Sequence, residues 1–95
     1  MKLVYTSDAV TDLSRLRSFI QQKNPQAAQR VAAELVDRLE SIPAFPGIGK
    51  IVEELSGKDT IRDMVFGKFV VRYSVHPNTI IVLRIWHHFE ERDLS

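Results

Sequence analysis

The chain is expected to fold as one α+β domain in the order β-α-α-β-β-β, an N-terminal helical hairpin packed on one face of an antiparallel sheet. Three observations predict it. Apolar residues recur at helical spacing between positions 10 and 42, the period changes to two between 61 and 87, and a connector rich in proline and glycine separates the two patterns. All 95 residues belong to this unit, and a hydrophobic fraction of 44 % suffices for one core without a metal or disulfide.

The opening segment KLVYT (residues 2–6) is short and β-prone, and Thr6, Ser7 and Asp8 supply side-chain oxygens that cap a helix N-terminus. Val10, Leu13, Leu16 and Ile20 then define one apolar face of a helix over about residues 8–23. Asn24 and Pro25 interrupt it, since the residue before a proline avoids the α region while proline itself suits the first turn of a new helix. The second helix presents Ala28, Val31, Ala32, Leu35, Leu39 and Ile42 and ends at Pro43; so short a turn makes the pair antiparallel. The stretch PAFPGIGKIVEELSGKDT (residues 43–60) reads as a connector with one short strand or turn around residues 51–55. Strands over residues 61–66, 69–76 and 80–87 follow, joined by Gly67-Lys68 and Pro77-Asn78-Thr79 as an antiparallel meander.

Composition narrows the function classes. Cysteine is absent, which excludes disulfides and thiolate zinc sites and fits a reducing, cytoplasmic setting. Polar residues break every apolar run short of a membrane span, and the N-terminus has no apolar stretch of signal-peptide length. Thirteen basic against twelve acidic residues leave a net charge of +1, so there is no overall electrostatic footprint for nucleic acid.

Strand alternation assigns the faces. Phe69, Val71, Tyr73 and Val75, with Ile81, Leu83 and Ile85, are expected to face the helices. Val70, Arg72, Val82, Arg84 and Trp86 then lie on the open face, and Arg62 joins them if Ile61 and Val65 point inward. Three arginines, one per strand, interleaved with Met64, Val70, Val82 and Trp86, have the character of a binding surface. His87 continues the inward phase of Ile85, whereas His88 points outward beside the arginines. Adjacent strand histidines on opposite faces make a poor metal pair, so no metal site is expected. There is no P-loop, dinucleotide-binding turn or nucleophile motif, and no cofactor is expected.

The segments DAVTDLSRLRSFI, FPGIGK, IRDMVFGKFVVRYSV and IIVLRIWHHFEER together resemble the RelE/ParE superfamily of toxins from type II toxin-antitoxin modules, once called plasmid stabilisation proteins. The resemblance spans essentially the whole chain. Its most specific parts are Arg62, the strand Val70-Val71-Arg72-Tyr73, and Arg84-Ile85-Trp86-His87 ahead of a charged tail. It implies the β-α-α-β-β-β fold and a cognate antitoxin as partner. RelE-type members are ribosome-dependent mRNA endonucleases that are strongly basic, whereas ParE-type members poison DNA gyrase by binding. Here Val70 stands where such nucleases place an arginine, Ile61-Arg62-Asp63 replaces paired lysines, and His87-His88-Phe89 replaces histidine, glycine and arginine.

These departures and the near-neutral charge favour a ParE-like toxin that binds gyrase through Arg62, Arg72, Arg84, Trp86 and His88, with its antitoxin on Val70, Val82 and Trp86. The alternative is a ribosome-dependent mRNA endoribonuclease using Arg62, Arg72 and Arg84 on the phosphate and His87 or His88 as acid or base. A third possibility is a degenerate member that only binds its antitoxin.

Overall fold

The computed structural model describes residues 1–88. Strand β1 (Lys2–Tyr5) leads into helix α1 (Ser7–Lys23) and helix α2 (Ala28–Ser41), which a single 3-10 turn (Ile42–Ala44) extends. The connector holds the two-residue strand β2 (Lys50–Ile51), and the meander is β3 (Thr60–Phe66), β4 (Phe69–Val75) and β5 (Thr79–His87). The helices cover one face of a five-stranded sheet in the order β1-β5-β4-β3-β2. The meander is antiparallel as expected, but β1 joins β5 in parallel, so the sheet is mixed. A parallel pair needs a crossover, and here everything from α1 to β4 intervenes between its strands.

The local chemistry explains the helix ends. The Thr6 hydroxyl caps α1 by accepting from the Ala9 N–H at 3.0 Å. Asn24 closes α1 by donating its N–H to the Ile20 carbonyl, and its side chain accepts from the Ala27 N–H at 3.2 Å. Asparagine therefore organises the turn itself, and α2 starts three residues after Pro25 instead of at it. The buried face of α1 is Ala9, Asp12, Leu16 and Ile20, and Val10 is 56 % exposed, contrary to expectation. Leu16 and Ile20 are buried and Leu13 packs against the core as expected, but in the first turns the buried positions are Ala9 and Asp12, an acid that apolar periodicity alone does not count. Gly67, at φ 57°, makes the tight β3–β4 turn in the left-handed region that glycine tolerates.

Two strands depart from simple alternation. In β5, Tyr73 pairs with Val82 and Arg72 with Arg84, so Leu83 has no opposite number and forms a β-bulge. The inward residues are consequently Ile80 and Val82 before the bulge, and Ile85 and His87 after it. Val82 is fully buried in the core under the helices and Ile81 turns outward, which reverses the expected phase for this half of the strand. In β3 it is Met64 that enters the core, while Val65 is 69 % exposed. Arg62 lies opposite Tyr73 and so shares the helix-side face.

That side of the sheet is closed by the connector. Tyr73, fully buried, donates its hydroxyl to the Pro46 carbonyl at 2.7 Å and accepts the Gly49 N–H at 2.9 Å. A Cβ on Gly49 would stand 2.8 Å from the Asp63 carbonyl carbon and oxygen, a clash with backbone that no rotamer relieves. Gly49→Ala is therefore expected to destabilise the fold by about 1–3 kcal/mol, whereas Gly47→Ala, in open space, should stay within about 0.5 kcal/mol of the parent. Urea denaturation midpoints check this, and equal midpoints for the two variants would contradict the packing.

Candidate functional site

The C-terminal half of β5 is the centre of the candidate site. Strand β1 has four residues and β5 has nine, so β1 pairs only with Thr79 to Val82 and leaves the rest of that edge open. Backbone groups there still need partners. Helix α1 and its cap provide them with side chains: the Thr6 hydroxyl donates to the Leu83 carbonyl at 2.9 Å, and Asp12 accepts the Ile85 N–H at 2.8 Å. Arg15 donates to the Ile85 carbonyl at 3.0 Å and also to Asp12. Arg84, re-aimed by the bulge, completes the cluster with a two-pronged pair on Asp12 at 2.8 and 3.0 Å. Asp12 is 1 % exposed. Burial alone would push its carboxyl upward, but bonds from Arg84, the Ile85 N–H and Arg15 hold it at about 2.

The three arginines thus do not share one surface, and each has a partner within the protein. Arg72 grips Asp63 through two bonds of 2.9 Å, and its guanidinium lies 5.1 Å from the Trp86 ring centroid. The bond to Asp63 is the main reason that Arg72 holds its proton more tightly than usual. Arg84 sits on the Asp12 cluster at the sheet edge. Arg62 donates to the Gly49 carbonyl at 2.6 Å and more weakly to that of Gly47 at 3.4 Å, pinning the connector. Trp86 has the outward phase expected of it but is only 8 % exposed. Val70 is half-buried on the open face opposite Trp86; Val82 belongs to the core.

The two histidines separate as their strand positions require. His88 is exposed and donates its backbone N–H to the Lys68 carbonyl. The His87 ring lies between Phe19 and Phe69, with centroids 4.9 and 5.0 Å away, in a cleft of about 640 Å³ between the hairpin and the β3–β4 turn. Lys23 and Lys68 also line that cleft. His76 hydrogen-bonds Ser74 at 2.8 Å and stands 3.6 Å from Asp59. Among the described residues, no three histidine, aspartate or glutamate side chains come together as a metal-binding group. Asp12, Lys23 and Lys68 are not among the residues that the sequence pattern marks. Asp12 had a detectable signal: it falls three residues after Ala9 and four before Leu16, in phase with the buried stripe.

Acid should reveal the Asp12 cluster. A carboxyl held near 2 in the folded chain, against about 3.9 unfolded, adds stability that is complete above the higher value and is lost as pH falls through the lower. The effect is on the order of 2 kcal/mol and unfolds between about pH 4 and pH 2. Asp12→Asn should flatten that segment of the stability–pH curve measured by urea denaturation. A parent and variant with parallel curves would contradict the assignment.

Comparison with known proteins places this geometry in a family. A family model described as the ParE toxin of the type II toxin-antitoxin system, parDE, matches residues 3–92. The chain is 32 % identical over 87 residues to Toxin RelE2 of Caulobacter vibrioides, covering 90 % of this chain and 93 % of that protein. It is 31 % identical over 86 residues to Toxin RelE1 of the same organism, covering 88 % and 89 %. A solved structure titled as the chromosomal ParDE TA system from P. aeruginosa superposes with a TM-score of 0.75 at 23 % identity, covering 92 % of this chain and 95 % of that one, and shares the fold. The chain belongs to the ParE toxin family of type II toxin-antitoxin systems.

Proposed function

We propose that this toxin acts by binding DNA gyrase, not by cutting RNA, and that a cognate antitoxin neutralises it. One observation carries the reading: Arg72 and Arg84 on the sheet are each already held by a carboxylate, Asp63 and Asp12. Cleavage of a phosphodiester needs cationic donors aimed at the developing charge and a group placed to move a proton. Recruiting Arg72 or Arg84 would first break a two-pronged ion pair, and the exchange leaves a carboxylate facing the phosphate. The net charge of +1 likewise supplies little of the phosphate-driven affinity on which a ribosome-bound nuclease depends.

What the sheet offers instead suits a protein partner. Its open face carries the charge-neutral Arg72–Asp63 pair flanked by Val70, Ile61 and Ile81, with Val65 largely exposed, and Arg84 stands at the adjacent edge on the Asp12 cluster. Paired charges among apolar side chains give register and complementarity at a protein interface without committing the surface to a polyanion. Arg72, Arg84, Trp86 and His88 remain the proposed contact residues for gyrase, and Val70 with Trp86 those for the antitoxin. Arg62 and Val82 act through the fold, the one by holding the connector and the other from the core.

The nuclease reading keeps one supporting observation. The His87 imidazole shares a cleft with two lysines, the combination of proton carrier and cation that RNA cleavage requires. Both activities are therefore measured on one preparation: inhibition of gyrase supercoiling, and codon-positioned cleavage of mRNA on translating ribosomes. The expected result is supercoiling inhibition, weakened at least tenfold in Arg72→Ala or Arg84→Ala, without mRNA cleavage. Cleavage that disappears in His87→Ala would replace this reading with the nuclease. Neither activity would mark a member that only binds antitoxin.

A further inference from the structure

A second groove, of about 660 Å³, runs along the helical hairpin and is lined by residues of α1 and α2 alone, with none from the sheet. Its α2 side consists of two rows at four-residue spacing, Ala28, Ala32 and Val36 beside Gln29, Ala33 and Asp37. The first row begins on a buried alanine and ends on Val36, which is 38 % exposed. One helix therefore carries a ridge and, about two turns earlier, a hollow. Charge is divided in the same way. Arg17 lines the groove from α1 and Asp37 from α2. Among the described residues neither takes part in an ion pair or a side-chain hydrogen bond, although charges beside them do: Arg15 pairs with Asp12, Arg30 pairs with Glu34, and Arg38 lies over the Phe66 ring.

We propose that this groove is an interface between two copies of the chain, related by a twofold axis that sets their α2 helices antiparallel. With the axis near Ala32 and Ala33, Val36 of each copy enters the hollow over Ala28 of the other, a ridge in a groove. The same reversal carries Asp37 of each copy toward the α1 wall of the other, where the long Arg17 side chain can meet it. An isologous contact needs a patch complementary to itself, and this one has a ridge and a hollow, a cation and an anion. A strongly acidic or basic segment would meet one attractive and one repulsive charge, so a second copy is the occupant that satisfies both. A contact of one helix pair is at the small end of specific interfaces, which sets the expected Kd at about 10–100 µM. The groove lies apart from the open sheet face and the β5 edge, so the dimer leaves both accessible and does not depend on which target the toxin binds.

Sedimentation equilibrium of the full chain, from about 5 to 500 µM, tests this. The parent should pass from monomer to dimer across that range. Arg17→Asp and Asp37→Arg should each weaken self-association at least about tenfold, because either change sets like charges against each other at both symmetry-related contacts. Their urea midpoints should stay near the parent's, since both positions are exposed. Mixed in equal amounts, the two variants should associate about as tightly as the parent, because one copy then brings two acids and the other two arginines. Val36→Glu should leave the chain monomeric throughout. A parent that stays monomeric at every concentration, a dimer unmoved by either charge reversal or by Val36→Glu, or a mixture that fails to recover association would each overturn the proposal.

Discussion

Asp12 is the residue on which the C-terminal half of β5 depends. A strand edge without a neighbour exposes amides and carbonyls that must be bonded or wetted, and β5 outruns β1 by five residues. One buried carboxylate on α1 accepts the Ile85 N–H and, by its charge, draws in Arg84 and Arg15. Arg15 then returns a donor to the Ile85 carbonyl. A helix thereby does the work of an edge strand, and the position of α1 on the sheet is fixed by polar contacts as well as by Leu16 and Ile20.

The bulge at Leu83 belongs to the same arrangement. It lets Ile80 and Val82 face the helices below it and Ile85 and His87 face them above it, so that both halves of a nine-residue strand bury apolar surface. Without the extra residue, the phase that buries Val82 would turn Ile85 outward and His87 away from Phe19 and Phe69. The bulge thus sets the open face with its Arg72–Asp63 pair, and the β5 edge where Arg84 is held by Asp12, apart from the cleft around His87 on the helix side.

Much of this was legible in the sequence, and the parts that were not share a physical cause. The helices, the three meander strands and the Gly67 turn follow from short-range periodicity, and each was located to within a few residues. The outward phase of Arg72, Arg84 and Trp86, and the inward phase of His87, were likewise readable from alternation around Ile85. The bulge was not, because Ile80 to Leu83 are all apolar, so either phase suits them and leucine carries no mark of an unpaired position. The face of Arg62 depends on which of Met64 and Val65 enters the core, and both are apolar. The pairing of Asp12 with Arg84 spans 72 residues of sequence, as does any contact set by tertiary packing, and no local pattern encodes its partner.

A double-mutant cycle between Asp12 and Arg84 tests the central interaction most directly. Stabilities of the parent, Asp12→Ala, Arg84→Ala and the double variant are measured by urea denaturation near neutral pH. If the carboxylate holds Arg84 while closing the β5 edge, the pair should couple by about 1 kcal/mol or more, with Asp12→Ala the costlier single change because it also strands the Ile85 N–H. Additive effects, with Asp12→Ala costing no more than an ordinary surface substitution, would contradict it.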